Sequence, residues 1–280
     1  MTEKTSNPSI EPGWQRALLI FIPFLVVLGA FEFLGAMVID APLVYNTEVS
    51  IGQMLVVAIF GMVGTVLLVL TFLRFVDKEP ISSIGIKRHF SRSQLIYSGI
   101  FVTLSIGIGF LLLLISGQIQ FQAFNFQFMP FLQSFTLFII AAFGEEIFVR
   151  GYILKNLTQS FSHKTALILS SLLFCALHLF NPNIDIISII DLFLAGIVLG
   201  IAYLYSGNLW LPFSIHFFWN FIQSHLGFMV SGQSIYSLIR IELTNNTIWN
   251  GGAFGFEGSI LAIVFELFAI AFLWRMLKGR

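Results

Sequence analysis

The chain is 280 residues long, with 57% hydrophobic and only 10% charged residues and a mean hydropathy of +0.92. Ordinary soluble domains carry roughly 25% charge, so this composition excludes one and reads as a polytopic membrane protein. Formal net charge is zero, which leaves no basic surface for nucleic acid.

Hydropathy marks eight apolar runs near the ~20 residues a bilayer core requires: 14–39, 51–76, 93–115, 131–150, 165–180, 186–206, 209–230 and 257–277. The first, Trp14 to Ile39, is too long for a signal-peptide core and lacks a small-residue cleavage site, so it is expected to stay as a helix. Met1-Thr2 excludes N-myristoylation and Leu277-Lys278-Gly279-Arg280 is no prenylation box, so helices alone are expected to anchor the chain. Cys175 is the single cysteine; it excludes an intrachain disulfide and reads as a small apolar core residue.

Cytoplasmic loops retain positive charge. With eight spans and the N-terminus inside, Lys4, Arg16, Arg74, Lys78, Lys87, Arg88, Arg92, Arg150, Lys155, Lys164, Arg275, Lys278 and Arg280 fall inside, and Arg240 alone falls outside. The expected architecture is an all-α polytopic transmembrane helix bundle of about eight spans, with both termini cytoplasmic. Residues 1–129 would hold three spans, 130–230 a membrane core, and 231–280 an exterior loop and the last span. Lys78 to Arg92 reads as a short basic connection that sets topology and touches anionic headgroups. Ser231 to Gly258 reads as the exterior loop, with a glycosylation sequon at Asn245-Asn246-Thr247 that matters only in a eukaryotic secretory membrane.

Ionisable side chains inside spans are expensive and mark function by default. The fourth run contains Ala141-Ala142-Phe143-Gly144-Glu145-Glu146-Ile147-Phe148-Val149-Arg150-Gly151. Glu146 and Arg150, at i and i+4, share a face and pair, while Glu145 points about 100° away and stays available. His178 lies alone in the fifth run, where a satisfied core histidine is the ordinary reading. His216 and Asn220, again i and i+4, place an imidazole and a carboxamide on one face of the seventh. They serve either as an interhelical contact or as donors to a polarised carbonyl oxygen. His225 falls about 180° from His216 and is left out. A carboxylate base, an imidazole and a donor pair on three helices are the inventory for water attack on an amide. Glu32, Asp191 and Glu266 have no partner nameable from sequence.

Glu-Glu-x-x-x-Arg at 145–150, Phe-x-x-x-His at 174–178 and His-x-x-x-Asn at 216–220, in that order, resemble the three signature motifs of the CAAX-protease and bacteriocin-processing (CPBP, Abi) family of intramembrane endopeptidases, such as CAAX prenyl protease 2. Gly196-x-x-x-Gly200 through Tyr203, Ser206, Gly207, Leu209 and Trp210 also resembles that family's run into its third motif. The resemblance covers about 130–228 and would make 130–230 the catalytic core. It implies Glu145 as the general base for water, with His178 orienting it. Glu146 and Arg150 would support them, and His216 and Asn220 would form the oxyanion hole. No cofactor is preferred; if zinc were used, Glu145, His178 and His216 would hold it with one position open. The implied substrate is a membrane-associated protein or peptide at the bilayer, of the CAAX type or a bacteriocin leader. Low charge and short loops point to a bacterial plasma membrane. The rival readings are a non-catalytic scaffold or bacteriocin-immunity protein, and a transporter, for which no repeat symmetry is visible. The sequence carries no signal for oligomeric state.

Depth adds one expectation. If the fourth helix ended at Arg150, Glu145 would lie within ~8 Å of the cytoplasmic face and His178 ~21 Å in. They meet only if that helix runs on to about Gln159, with Arg150 buried against Glu146. His216 must then come from a helix that starts deeper, with irregular backbone expected near Pro212.

Overall fold

The computed structural model describes residues 8–10, 12–40, 49–86 and 91–279. The expectations that fall on Met1-Thr2, Lys4, Lys87, Arg88 and Arg280 lie outside the described residues. Helix α1 spans Gly13–Val38 and α2 Ile51–Asp77; α3 is Arg92–Ile115. Helix α4 is continuous through three segments, Phe128–Glu146, Ile147–Leu154 and Lys155–Thr158. Then follow α5 His163–Leu177, α6 Ile186–Ser206, α7 Trp210–His225 and α8 Ile260–Lys278.

Local sequence sets the ends. Ser50 and Gln53 form a capping box at the start of α2 and Asp185 and Ser188 do so at α6, satisfying backbone N–H groups that the helix leaves open. Gly207 closes α6 in the left-handed region at φ 59°. Helix α1 is interrupted at Ile20 because Pro23 has no N–H for the Leu19 carbonyl and its ring crowds it.

Of the eight expected spans, five among the described residues, α1, α2, α3, α6 and α8, are long and apolar enough by length and composition to cross a membrane. The runs at 131–150, 165–180 and 209–230 form α4, α5 and α7. Of these, α5 and α7 have 15 and 16 residues, short of the ~20 a full span needs. Helix α4 is long, yet carries Glu145, Glu146 and Arg150. These three are the polar heart of the bundle, and the longer apolar helices surround them. One correction to the all-α expectation is a two-stranded antiparallel ribbon, β1 Ile119–Phe124 with β2 Ile239–Leu243, whose register shifts between Phe121 and Ala123.

Helix α4 is the centre. All eight residues of Ile147–Leu154 are buried; Phe148 stacks on Phe24 of α1 at 3.6 Å, and the Tyr152 hydroxyl donates to Asp77 of α2 at 2.7 Å. The expected extension past Arg150 is present, with the helix ending at Thr158. Arg150 itself is fully buried, so it leaves the set of loop cations. At the end of the bundle where α1 starts, Arg16 lies 3.5 Å from Asp77 and hydrogen-bonds Gln159, while Lys155 pairs with Glu79. This basic end is opposite the ribbon end.

The connection after α2 does more than carry charge. Ile84 is buried, and the Gly85 carbonyl accepts from Leu209 N at 3.0 Å. A Cβ on Gly151 would touch Ile84 and Leu209 at 3.3 Å, so α7 begins level with Gly151, inside the basic end of α4. The deep start holds; the irregular backbone at Pro212 does not. Pro212 sits in the first turn of α7, where its missing N–H leaves no bond unmade, and Asn208 Oδ1 accepts from Trp210 N and Leu211 N at 3.0 and 3.3 Å.

Candidate active site

Helix α4 presents its two carboxylates differently. Glu146 is fully buried, and its Oε1 accepts from Arg150 Nη1 at 2.7 Å. The same oxygen lies 2.9 Å from His216 Nδ1, a link across two helices that sequence spacing cannot reveal. Arg150 reaches on to the Gly196 carbonyl of α6 at 3.4 Å, and its guanidinium lies 4.4 Å from the centre of the Phe174 ring, a favourable cation–π contact when desolvated.

Helix α5 ends at the site. His178 follows its last residue, and His178 Nδ1 lies 2.8 Å from the Phe174 carbonyl. A carbonyl only accepts, so Nδ1 carries a proton. The Phe174 ring packs 4.6 Å from the His178 ring and 6.0 Å from that of His216. Phe174 therefore touches three of the ionisable groups, and its place in the Phe-x-x-x-His spacing is the signal for it in the sequence.

Glu145 faces away from Glu146, towards both imidazoles. Its Oε2 is 3.6 Å from His178 Nε2 and 3.9 Å from His216 Nε2, too far for direct hydrogen bonds. That oxygen is buried and has no hydrogen-bond partner. On both rings the Nδ1 proton is directed elsewhere, to the Phe174 carbonyl and to the Glu146 carboxylate. In its neutral form each Nε2 then offers a lone pair towards an oxygen that also only accepts. Three acceptors converge, and a water donating its two hydrogens into the gap would satisfy two of them.

The site opens into a cavity of about 370 Å³ lined by Glu145, His178, His216 and Asn220. Among the described residues the Asn220 side chain makes no hydrogen bond, and it lines the cavity. The structure thus brings Glu145, Glu146, Arg150, His178, His216 and Asn220 together. His225 is elsewhere, 3.3 Å from Ser134. Asp191, Glu257 and Glu266 line the same cavity; the first and last have no partner nameable from sequence, and the fold places both on its wall.

Residues 127–222 match the family model of Rce1-like type II CAAX prenyl endopeptidases. The Rce1-like match starts at the foot of α4 and ends in α7, so it contains all six gathered side chains and leaves out α1, α2, α3 and α8. It supports an intramembrane CAAX-type peptidase at the family level, and the apolar helices support a multi-pass membrane protein. No curated protein matches the chain.

Tetrahedral zinc, with bonds of about 2.0–2.2 Å, holds ligand atoms about 3.4 Å apart. The Glu145 to His216 separation of 3.9 Å exceeds this, and among the described residues no group of three or more His, Cys, Asp or Glu side chains is arranged to hold a metal. The residues as placed do not fit.

Proposed function

We propose that the chain is an intramembrane endopeptidase that hydrolyses a peptide bond of a membrane-associated protein or peptide by glutamate-activated water, with 130–230 as its catalytic core and the basic end towards the cytoplasm. The observation that carries this reading is the convergence of His178 Nε2, His216 Nε2 and an unpartnered Glu145 Oε2 on one point of the cavity wall.

A water held there gives one hydrogen to Glu145 and leans the other on His178. Its lone pair then faces a carbonyl carbon in the cavity. As the C–O bond forms, Glu145 takes the proton, and it later returns it to the leaving amine as the C–N bond breaks. Charge gathers on the carbonyl oxygen, for which the Asn220 amide is the first donor. His216 can donate from Nε2 only when its ring carries both protons, since Nδ1–H is committed to Glu146. Glu146 and Arg150 fix that ring. No step runs through a metal.

The test compares membrane proteomes by terminal peptides between cells carrying the wild-type chain and cells carrying Glu145→Gln at equal protein level. New termini present only with the wild type support the reading; identical termini would return it to the scaffold or immunity alternative.

A further inference from the structure

The cavity has a second polar wall that this hydrolysis leaves idle. Asp191, in the second turn of α6, and Glu266, in the second turn of α8, are 1% and 4% exposed and line the cavity together. Glu257, just before α8, accepts from the Ser231 backbone N–H and hydroxyl at 2.8 and 2.9 Å and lines the same cavity as His178 and His216. Asp191 Oδ1 and Glu266 Oε2 remain buried without a hydrogen-bond partner, on a wall of the cavity that holds Glu145.

Among the described residues none of these three groups forms an ion pair with a lysine or arginine. Buried carboxylates without a countercharge are costly, and a cation that enters the cavity relieves that cost. Among the described residues no such group is arranged to hold a metal ion, so a cation with flexible reach fits better than a coordinated one. Most of the remaining lining, including Phe24, Leu28, Phe138 and Trp219, is apolar and suits the flank of a membrane-embedded peptide.

We infer that Asp191, Glu257 and Glu266 form a specificity subsite for the ammonium or guanidinium of a lysine or arginine in the substrate, close to the scissile bond and set in an otherwise apolar stretch. This deepens the peptidase reading of Glu145 and rests on it.

The test uses the full chain carrying Glu145→Gln, in phosphatidylglycerol nanodiscs so that no lipid ammonium competes. The probes are N-acetylated apolar peptides with a single lysine placed at each position in turn, each beside a twin with norleucine there. The expected result is at least about tenfold tighter binding of the lysine peptide at one or two positions, as a desolvated charge pair provides. Asp191→Asn or Glu266→Gln, checked for folding by thermal unfolding, should each erase the difference between twins. Equal binding of all twins, or a lysine preference that survives both substitutions, overturns the subsite. Cleavage of the same peptides by the chain with Glu145 intact, and not by Glu145→Gln, decides the peptidase reading separately, because the binding comparison needs no turnover.

Discussion

Glu145 and Glu146 are chemically identical neighbours given opposite tasks by their surroundings. Glu146 has Arg150 and His216 on one oxygen, whereas Glu145 Oε2 has none. Glu145→Gln should therefore lower kcat about 10²- to 10⁴-fold, the usual scale for a lost general base, with an unfolding temperature close to that of the wild type. Arg150→Met should instead destabilise the fold by about 3–5 kcal/mol, because it strands a buried carboxylate; thermal unfolding in detergent measures it. Activity of purified protein should survive dialysis against a chelator, with metal content followed by elemental analysis. Loss of activity that zinc restores would favour a ligated arrangement of Glu145, His178 and His216. The residue identities of the candidate site were legible because four of them fall as i, i+4 pairs, Glu146 with Arg150 on α4 and His216 with Asn220 on α7. The contact between His216 and Glu146 was not, since it joins residues 70 apart through packing that no local spacing encodes. The acidic wall was illegible for the same reason: Asp191 and Glu266 sit on different helices.

At the scale of elements, glycine sets the closest helix approach around the site. A Cβ on Gly196 would lie 2.8 Å from Ser171 Cβ and 2.9 Å from Ser171 Cα, so α5 and α6 cross nearly backbone to backbone there. Gly196→Ala should force them apart and cost about 1–3 kcal/mol, and the shift should also disturb the Gly196 carbonyl that receives Arg150; the unfolding midpoint reports the first effect and peptidase rate the second. All eight hydropathy runs became helices. Length and polarity then divided them, because α5 and α7 trade span length for polar side chains that meet inside. The ribbon of β1 and β2 was missed because Ile119–Phe124, with Gln120 and Gln122 between apolar residues, is a short stretch beside the long apolar run of α3.

For the whole molecule, the basic end is a lock of charges that ties α1, α2 and α4. Glu79 in this lock has two opposed influences: partial burial pushes its carboxyl up, and the Lys155 hydrogen bond and charge pull it down further, so it ends below the usual glutamate range. A lowered carboxyl contributes stability in full above its unfolded value and loses it as pH falls through the folded one. Glu79→Gln should accordingly lower the unfolding midpoint at neutral pH, and the gap from wild type should close only under acidic conditions below the ordinary carboxylate range; a gap constant across pH would contradict this. The two ends of the molecule are linked through α4, whose Ile147–Leu154 segment is a π-helix. There each backbone bond spans five residues, so the segment holds one more residue per turn than its neighbours without a break. One residue amounts to about 100° of helix rotation. The half bearing Glu145 and the half bearing Lys155 and Gln159 are thus set at independent phases, and Ile147–Leu154 acts as a splined coupling: deleting one residue there would leave the glutamates aimed at the cavity and turn the locking side chains away from α1 and α2.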